Sequence, residues 1–385
     1  MIPYGLQDIN QADIDAVVEV LKSDFLTQGP QVPKFEKAVS SYCNSKFSIA
    51  VNSATSALHI ACLALDLCKN DIVWTTPNTF VSSANCVLYC GAKVDFVDID
   101  LKTLNMSTYK LEEKLIEAKR KNKLPKIVIP VHFAGQSCDM KKIYELSKKY
   151  GFSIIEDASH AIGGRYLNQP IGCCQLSDIT VFSFHPVKII TTAEGGIATT
   201  NSIKLANKMQ LLRSHGVTRD NALMKNPNPG DWYYEQIELG FNYRMNDLQA
   251  ALGVSQIHRL DEFVYKRNKI KERYDKLLKD LPVFLPFINV DCYSASHLYC
   301  IQIDLKNTLK SHSEIFSELR LNGIGVNLHY IPVHLHPFYA KNGFKIGDFR
   351  NSEKYYDRAI TLPMFFSLDD EQQIKIVNTL KEIIN

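Results

Sequence analysis

The sequence predicts an α/β protein in which a large mixed-sheet domain is followed by a smaller C-terminal α/β domain. Apolar runs alternate with segments of helical period in the first half, two apolar runs then follow without a helix between them, and a long helical pattern precedes a second alternation. The chain of 385 residues also exceeds the roughly 250–300 residues at which one hydrophobic core stops growing. We therefore expect a large domain over residues 1–245, and a bridging helix with the small domain over residues 246–385.

The first alternation predicts a mainly parallel sheet with helices on both faces, because parallel strands need long crossover connections. The expected elements are strands at 47–51, 92–99, 126–133 and 152–158, with helices beginning near Ser53, Leu111 and Met140. The apolar runs at 179–184 and 196–200 are joined by a segment without helical period. This departure predicts that the sheet is interrupted where the chemistry takes place.

The second half begins with a capping box, Asn246 and Gln249, and helical spacing continues to roughly Leu278. One long helix is therefore expected to connect the two domains. The small domain is expected to contain a strand at 296–303, a helix at 313–323, a strand at 325–333 and a final helix from about Asp369.

Composition argues against several classes of protein. The chain has 44 Lys and Arg against 41 Asp and Glu, which is too balanced for nucleic acid or an anionic membrane as the principal partner. The N-terminus lacks a signal-peptide pattern, and no stretch approaches the ~18 apolar residues of a membrane span. The ten cysteines contain no CxxC pair, so reduced thiols are expected rather than disulfides or structural zinc. We expect a cytoplasmic protein.

Lys188 follows directly from a buried strand in the segment FSFHPVK at 182–188. Its neighbours are apolar, and desolvation lowers the pKa of an amine and makes it a competent Schiff-base nucleophile and proton carrier. Taken alone, a lysine whose amine reaches the surface is the simpler interpretation.

Asp157 ends a second apolar strand, in the segment IIEDASH at 154–160. In open α/β sheets ligands bind at the carboxyl ends of strands, so this carboxylate is placed where a cofactor would lie. A carboxylate there favours the protonated form of a pyridine ring, which is the electron sink of pyridoxal chemistry. An aspartate in this position is also typical of a helix cap.

The segment NSATSA at 52–57 opens a helix after the first strand. Its free N–H groups and hydroxyls suit a phosphate, although such clusters are often simple N-caps. No GxGxxG or GxxxxGK[ST] pattern follows a strand, so a phosphate monoester is favoured over a dinucleotide. Together with Asp157 and Lys188, this segment describes a pyridoxal phosphate (PLP) site.

Six motifs now identify a resemblance that runs over essentially the whole chain. They are LTQGPQVPKFE (26–36), NSATSAL (52–58), EDASHAIGG (156–164), FSFHPVKIITTAEGG (182–196), LRSHG (212–216) and ELGFNYRMNDLQAALG (238–253). The chain resembles the DegT/DnrJ/EryC1/StrS sugar aminotransferases. The blocks FHPVKIITTAEGGIATT and YYEQIELGFNYRM are most similar to the branch that aminates UDP-sugars at C4 for pseudaminic acid.

The resemblance implies a PLP-dependent transferase of fold type I, aspartate-aminotransferase-like, and a homodimer with shared active sites. The cofactor-binding residues that it implies are Ala54, Thr55, Phe80, Asp157, His160, Ser183, Lys188 and Asn242. Lys188 and Asp157 are the catalytic pair, while Thr55, the backbone of Ala54 and Ser183 hold the phosphate. Asn242 reaches the phosphate from the other subunit.

Two of these roles come from the resemblance alone. Phe80 is expected to stack on the pyridine ring, and His160 to approach the phenolic oxygen of the cofactor. Without the resemblance, Phe80 is interpreted as a core residue and His160 as a hydrogen-bonded histidine at a strand end. One departure from the family is Ala193, where many members carry glycine.

The implied reaction transfers an amino group from L-glutamate to a UDP-linked 4-keto sugar. The family's dehydratase branch has a histidine in place of the lysine, so Lys188 indicates a true transaminase. His329 and Tyr330 lie where family members approach the sugar. Arg213 and Arg244, with Arg219 and Lys225, border the irregular loop at 219–240 and are candidates for the diphosphate, although each is equally well explained as a solvated or interface charge.

Three alternatives stay open. The histidines of LHYIPVHLHP, His329, His334 and His336, have spacing that a metal ion accepts, although no metal site is predicted. The second alternative is a regulator that binds PLP without turnover. The third is a related aminotransferase that acts on another nucleotide, on another keto sugar or at C3. The stereochemistry at sugar C5 is not encoded in these motifs.

Overall fold

The computed structural model describes residues 1–227 and 229–384. The strands are β1 Phe47–Val51, β2 Ile72–Thr75, β3 Lys93–Phe96, β4 Ile127–Val128, β5 Ser153–Asp157, β6 Arg165–Tyr166, β7 Gln169–Pro170, β8 Ile179–Ser183, β9 Gly196–Thr200, β10 Val217–Thr218, β11 Glu235–Gln236, β12 Val283–Phe284, β13 Cys292–Tyr293, β14 Tyr299–Ile303 and β15 Ala359–Leu362. The α-helices are α1 Gln11–Leu21, α2 Gln31–Cys43, α3 Ala54–Ala64, α4 Ser82–Tyr89, α5 Thr108–Arg120, α6 Met140–Tyr150, α7 Ile203–Arg213, α8 Asp247–Ile257, α9 Leu260–Leu278, α10 His312–Leu321, α11 Pro337–Ala340, α12 Arg350–Tyr356 and α13 Asp370–Ile384.

Seven strands form the main sheet, in the order β1-β9-β8-β5-β4-β2-β3. Strands β3, β2, β4, β5 and β8 run parallel, whereas β9 is antiparallel to both of its neighbours, β1 and β8. The connection from β8 to β9 holds Lys188, as the missing helical period at this point predicts. This is the large mixed sheet that the sequence predicts.

Both faces of the sheet are covered, which explains why its central strands read as continuous apolar runs. Ile155 and Val181 face one core layer with α3 and α7, while Phe182 and Ile197 face the other with α2 and α8. Adjacent residues of β8 therefore enter opposite cores, as the period of two in a strand requires. The central strands therefore lie between two apolar layers.

A three-stranded antiparallel sheet, β12-β14-β15, forms the core of the C-terminal half with α9, α10 and α13. The first residues of the chain join this unit, because Ile2 packs into its core and bonds the backbone of Gly323 and Gly325. In addition, β13 pairs with β6 of the preceding half. The division after residue 245 stays a prediction.

The single bridging helix predicted over 246–278 is wrong in one respect. The structure has two helices, α8 and α9, which are separated at His258 and Arg259. Arg259 leaves helical geometry at the break and binds the carboxylates of Asp8 and Asp13, each at 2.6 Å. The capping box of Asn246 and Gln249 is present as predicted.

The strand predicted at 325–333 is also wrong. This segment makes a single antiparallel bridge, in which Asn327 and Thr361 exchange backbone hydrogen bonds of 3.2 and 2.8 Å. It then leaves the sheet before Pro332, which has no N–H for a ladder bond. The departing residues, Leu328 to Tyr330, line a cavity at the carboxyl ends of β5 and β8.

Two sequence motifs that lie far apart meet at Asp247. This fully buried carboxylate accepts backbone hydrogen bonds from Gly29 and Gln31, both at 2.7 Å, and from Val32 at 3.3 Å. It thereby caps α2 and holds the TQGP turn against α8, since the first N–H groups of a helix need acceptors from outside it.

All ten cysteines are free thiols. Throughout residues 1–227 and 229–384, helices lack the combination of length and apolarity that spans a membrane.

Candidate active site

A cavity of about 940 Å³ opens at the carboxyl ends of β5 and β8, where the segment 327–330 of the C-terminal half closes over it. A pocket of this size is typical of a site that encloses a small-molecule ligand. The predicted residues that line it are Ala54, Thr55, Phe80, Asp157, His160, Ser183, Lys188, His329 and Tyr330.

The start of α3 forms one wall of the cavity. Ser53 caps the helix by accepting a hydrogen bond from the amide of Ser56 at 3.1 Å. The amides of Ala54 and Thr55 have no acceptor within the described parts of the chain. A Cβ added to Gly196 of β9 would lie 2.4 Å from the Ala54 nitrogen, so glycine is needed for this close approach. The helix dipole and the free amides together suit a phosphate.

Asp157 lies at the end of β5 and is only 4% exposed. One carboxylate oxygen, Oδ2, accepts a hydrogen bond from Ser83 Oγ at 2.6 Å. The other oxygen, Oδ1, accepts from the amide of Ser159 at 3.1 Å and from its hydroxyl at 2.6 Å. An ionised carboxylate offers about four acceptor positions, so one position is left for a further donor.

Lys188 follows β8 through a turn in which its amide bonds the carbonyl of His185 at 2.8 Å. The side chain is half-buried on the cavity wall. Burial lowers the pKa of Lys188 from 10.5 to about 8, and the opposing attraction of Asp157 limits this decrease. An appreciable fraction of the amine is therefore neutral, and nucleophilic, near physiological pH.

His160 connects the two halves of the protein across the cavity. Its Nδ1 accepts a hydrogen bond from the amide of Ala134 at 3.3 Å, so the ring proton is on Nε2 and is donated to Tyr330 Oη at 3.0 Å. Burial lowers the pKa of His160 well below its usual range, and the charge of Lys188 lowers it further. The hydroxyl hydrogen of Tyr330 is consequently left to bind another group.

Two further side chains complete the wall. His329 bonds Thr361 Oγ1 at 2.9 Å, and burial, followed by the charge of Lys188, lowers its pKa to about 3. Phe80 is 58% exposed although it lies in the cavity wall, with its ring centroid 6.2 Å from that of Tyr330. An open aromatic face of this kind suits stacking on a planar ring.

Five predicted residues lie outside the lining of this cavity, namely Arg213, Arg219, Lys225, Asn242 and Arg244. Arg213 pairs with Glu36, donates to the carbonyl of Ala50 at 2.8 Å, and lines a separate cavity of about 220 Å³ with Arg244. The backbone carbonyl of Asn242 accepts a hydrogen bond from Asn52, which does line the main cavity. The roles assigned to Arg213, Arg244 and Asn242 stay predictions, as do those of the other site residues.

Two residues of the site are missed by the sequence analysis. Ser83 bonds Asp157 from α4, and its only signal is that it stands four residues after Thr79 in the turn that carries Phe80. His297 lines the cavity with its ring 4.5 Å from that of His160, and no motif surrounds it. Ala193, at the position where the family prefers glycine, has φ of +62°, a conformation that costs a residue with a Cβ roughly 1–2 kcal/mol.

The structure does not bring the histidines of the proposed metal-binding module together around one point. His329 bonds Thr361, whereas His334 bonds Glu353 Oε1 at 2.9 Å, so the two rings serve different partners. Within residues 1–227 and 229–384, no three His, Cys, Asp or Glu side chains are grouped as a metal ion requires.

A family model described as the DegT/DnrJ/EryC1/StrS aminotransferase family matches residues 7–381. The chain belongs to this family. The match confirms the predicted family and the prediction of a PLP-dependent enzyme of the aminotransferase class, and the similar solved structures confirm the fold class.

Relatives of the DegT/DnrJ/EryC1/StrS family cover the whole chain. A Campylobacter jejuni strain 81-176 protein, UDP-4-amino-4,6-dideoxy-N-acetyl-beta-L-altrosamine transaminase, is 38% identical over 388 residues, which is 100% of this chain and 98% of that protein. Helicobacter pylori PseC, an aminotransferase involved in the biosynthesis of pseudoaminic acid, superposes with a TM-score of 0.89 and 31% identity over 100% of this chain and 99% of its own. The PMP-form of Spr1654 from Streptococcus pneumoniae gives a TM-score of 0.91 and 30% identity, with 100% and 99% coverage.

The lowered pKa of Lys188 predicts an unusual titration in the protein freed of cofactor. Competitive labelling with acetic anhydride, read by peptide mass spectrometry, should show reactivity at Lys188 that rises through a midpoint near pH 8. The reactivity falls below this pH because only the neutral amine attacks the reagent. A midpoint near the ordinary lysine value of about 10.4 would contradict the buried environment assigned to this amine.

Proposed function

We propose that the protein uses PLP to transfer the amino group of L-glutamate to C4 of a UDP-linked 4-keto-6-deoxy-N-acetylhexosamine, on the route to pseudaminic acid. The observation that carries the PLP-dependent chemistry in this proposal is the shared cavity of Lys188 and Asp157, at the carboxyl ends of two strands and beside the free amides of α3. In this proposal Lys188 bonds the aldehyde carbon of PLP, Asp157 receives its pyridine N–H, and the amides of α3 bind its phosphate.

The residues present fit PLP. The amides of Ala54 and Thr55 and the hydroxyl of Ser183 would hold its phosphate, and the exposed ring of Phe80 would cover its pyridine ring. The remaining acceptor position of Asp157 would receive the ring N–H. Bound PLP would supply a protonated pyridine ring, which accepts the electron pair released when Cα of the amino donor loses its proton.

Lys188 would move the proton in both halves of the reaction. Its amine, with a pKa of about 8, is able to take the proton from Cα of the amino donor and later to return a proton to C4 of the sugar. His160, His297 and His329 have lowered pKa values, so they stay neutral around it and add no positive charge that would oppose its protonation.

The substrate assignment is supported by similarity over the full chain length. The Campylobacter relative is named for a UDP-linked 4-amino-4,6-dideoxy sugar, and the Helicobacter protein for pseudoaminic acid biosynthesis. The free hydroxyl hydrogen of Tyr330 is a donor for a sugar oxygen in the same cavity. His329 stands beside it.

We further propose that the enzyme is a homodimer whose sites are completed by the partner. Lys188 is the only lysine or arginine among the described residues that line the cavity, yet a UDP diphosphate and the carboxylates of glutamate need several donors. Arg213 and Arg244 face another cavity of the same chain. A second copy would supply cations of this kind, together with Asn242.

Mixed dimers test the sharing of sites. If Asn242 serves the partner's cavity, inactive Lys188→Ala protein mixed with Asn242→Ala protein regains about a quarter of the wild-type activity, because half of the dimers are mixed and each has one intact site. Subunits are exchanged by mild unfolding and refolding, and transamination is then measured. Activity no higher than the sum of the two separate variants would contradict the shared site.

A panel of keto sugars tests the substrate. Purified enzyme with L-glutamate receives UDP- and dTDP-linked 4-keto and 3-keto sugars, and NMR identifies the amino sugar that forms. We expect the UDP-linked 4-keto-6-deoxy-N-acetylhexosamine to react fastest, with the amino group at C4 of the product. We expect Lys188→Ala to lower turnover by roughly 10²–10⁴-fold or more. Preference for another nucleotide, another keto sugar or C3 would instead support a related aminotransferase.

A further inference from the structure

We propose that Ser83 is a positioning residue that, with Thr79 behind it, holds the Asp157 carboxylate in the orientation that receives the pyridine N–H. This inference rests on the proposed pairing of Asp157 with the ring nitrogen. It concerns a residue that contacts the carboxylate rather than the cofactor.

The three side chains form a hydrogen-bond chain. Thr79 Oγ1 lies 2.8 Å from Ser83 Oγ, and Ser83 Oγ lies 2.6 Å from Asp157 Oδ2. The alternative acceptor for the Ser83 proton, the carbonyl of Phe80, is at 3.4 Å, so the proton is directed to the carboxylate. Thr79 then donates to Ser83, which strengthens the bond that Ser83 donates to Asp157.

The chain is closed to solvent. Ser83 is fully buried, and Thr79 and Asp157 are 2% and 4% exposed. On the side of the carboxylate that Ser83 and Thr79 cover, access of water is restricted, and a buried carboxylate that loses a donor there is left with uncompensated desolvation. Removal of the Ser83 hydroxyl would therefore weaken the hydrogen bonding of the Asp157 carboxylate directly.

The two oxygens of Asp157 are fixed in different ways. Oδ1 is held locally, by Ser159 two residues further along the chain. Within the described residues, Ser83 is the only side chain from another element that bonds the carboxylate, so it alone fixes Oδ2 relative to the rest of the fold. Without it, only the local hydrogen bonds from Ser159 orient the carboxylate towards the cofactor.

The turn that leads into α4 also connects Ser83 to other parts of the site. Phe80 lies between Thr79 and Ser83, so the proposed stacking ring and the donor to Asp157 share one turn. Asn78, at the start of this turn, accepts a hydrogen bond from the amide of Tyr330 at 3.3 Å. The turn thus positions groups on several sides of the cavity.

The experiment compares two cofactors on the protein freed of PLP. Equilibrium dissociation constants are measured for PLP and for its 1-deaza analogue, in which a C–H group replaces the ring nitrogen. The variants are Ser83→Ala, which removes the donor, Thr79→Val, which removes only the group behind it, and Ser83→Thr, which keeps the hydroxyl. Ser82→Ala is the matched control, because Ser82 is the adjacent residue of α4 and makes no hydrogen bond to Asp157.

We expect Ser83→Ala to weaken PLP binding roughly ten- to hundredfold and binding of the analogue less than about threefold, since only PLP presents an N–H to Asp157. Thr79→Val should give a smaller loss in the same direction, while Ser83→Thr and Ser82→Ala keep the preference for PLP. Equal losses for both cofactors, or no loss for PLP, would overturn the role of Ser83. Equal binding of both cofactors by the wild-type protein would instead overturn the pairing of Asp157 with the ring nitrogen.

Discussion

The proposed function depends on a carboxylate and an amine that line the same partly desolvated cavity. Asp157 is fixed by three hydrogen bonds at the end of β5, and Lys188 is half-buried after β8 with a pKa near 8. Desolvation keeps the amine able to lose its proton, while Asp157 limits how far its pKa decreases.

The fold produces this pairing through an interruption of parallel winding. β8 returns directly into the antiparallel strand β9, so the connection that holds Lys188 turns over the carboxyl end of the sheet and not into a helix. Gly196 at the start of β9 lets the strand approach the start of α3 closely, where the amides of Ala54 and Thr55 have no acceptor within the described residues. The same short region of the sheet therefore places the amine of Lys188 and the start of α3 in the lining of one cavity.

The sequence predicts those features that depend on local pattern. Lys188, Asp157 and the start of α3 follow apolar strands, and the rule that ligands bind at strand ends is sufficient to bring them together. The break between α8 and α9 is not predictable in this way, because it depends on Arg259 binding acidic residues about 250 positions away. For the same reason the sequence does not predict that Arg213 pairs with Glu36, 177 positions away, while its role as a substrate ligand stays a prediction.

Ser83 shows the same limit for a single hydrogen bond, since the only indication of it in the sequence is that Ser83 stands four residues after Thr79.

The most direct measurement of the central claim is a crystal structure of the protein with PLP. We expect C4′ of the cofactor to be bonded to Lys188 Nζ, and the ring nitrogen to lie within hydrogen-bond distance of an Asp157 oxygen. A ring nitrogen that faces solvent or another group, or a cofactor bonded to a different lysine, would contradict the account.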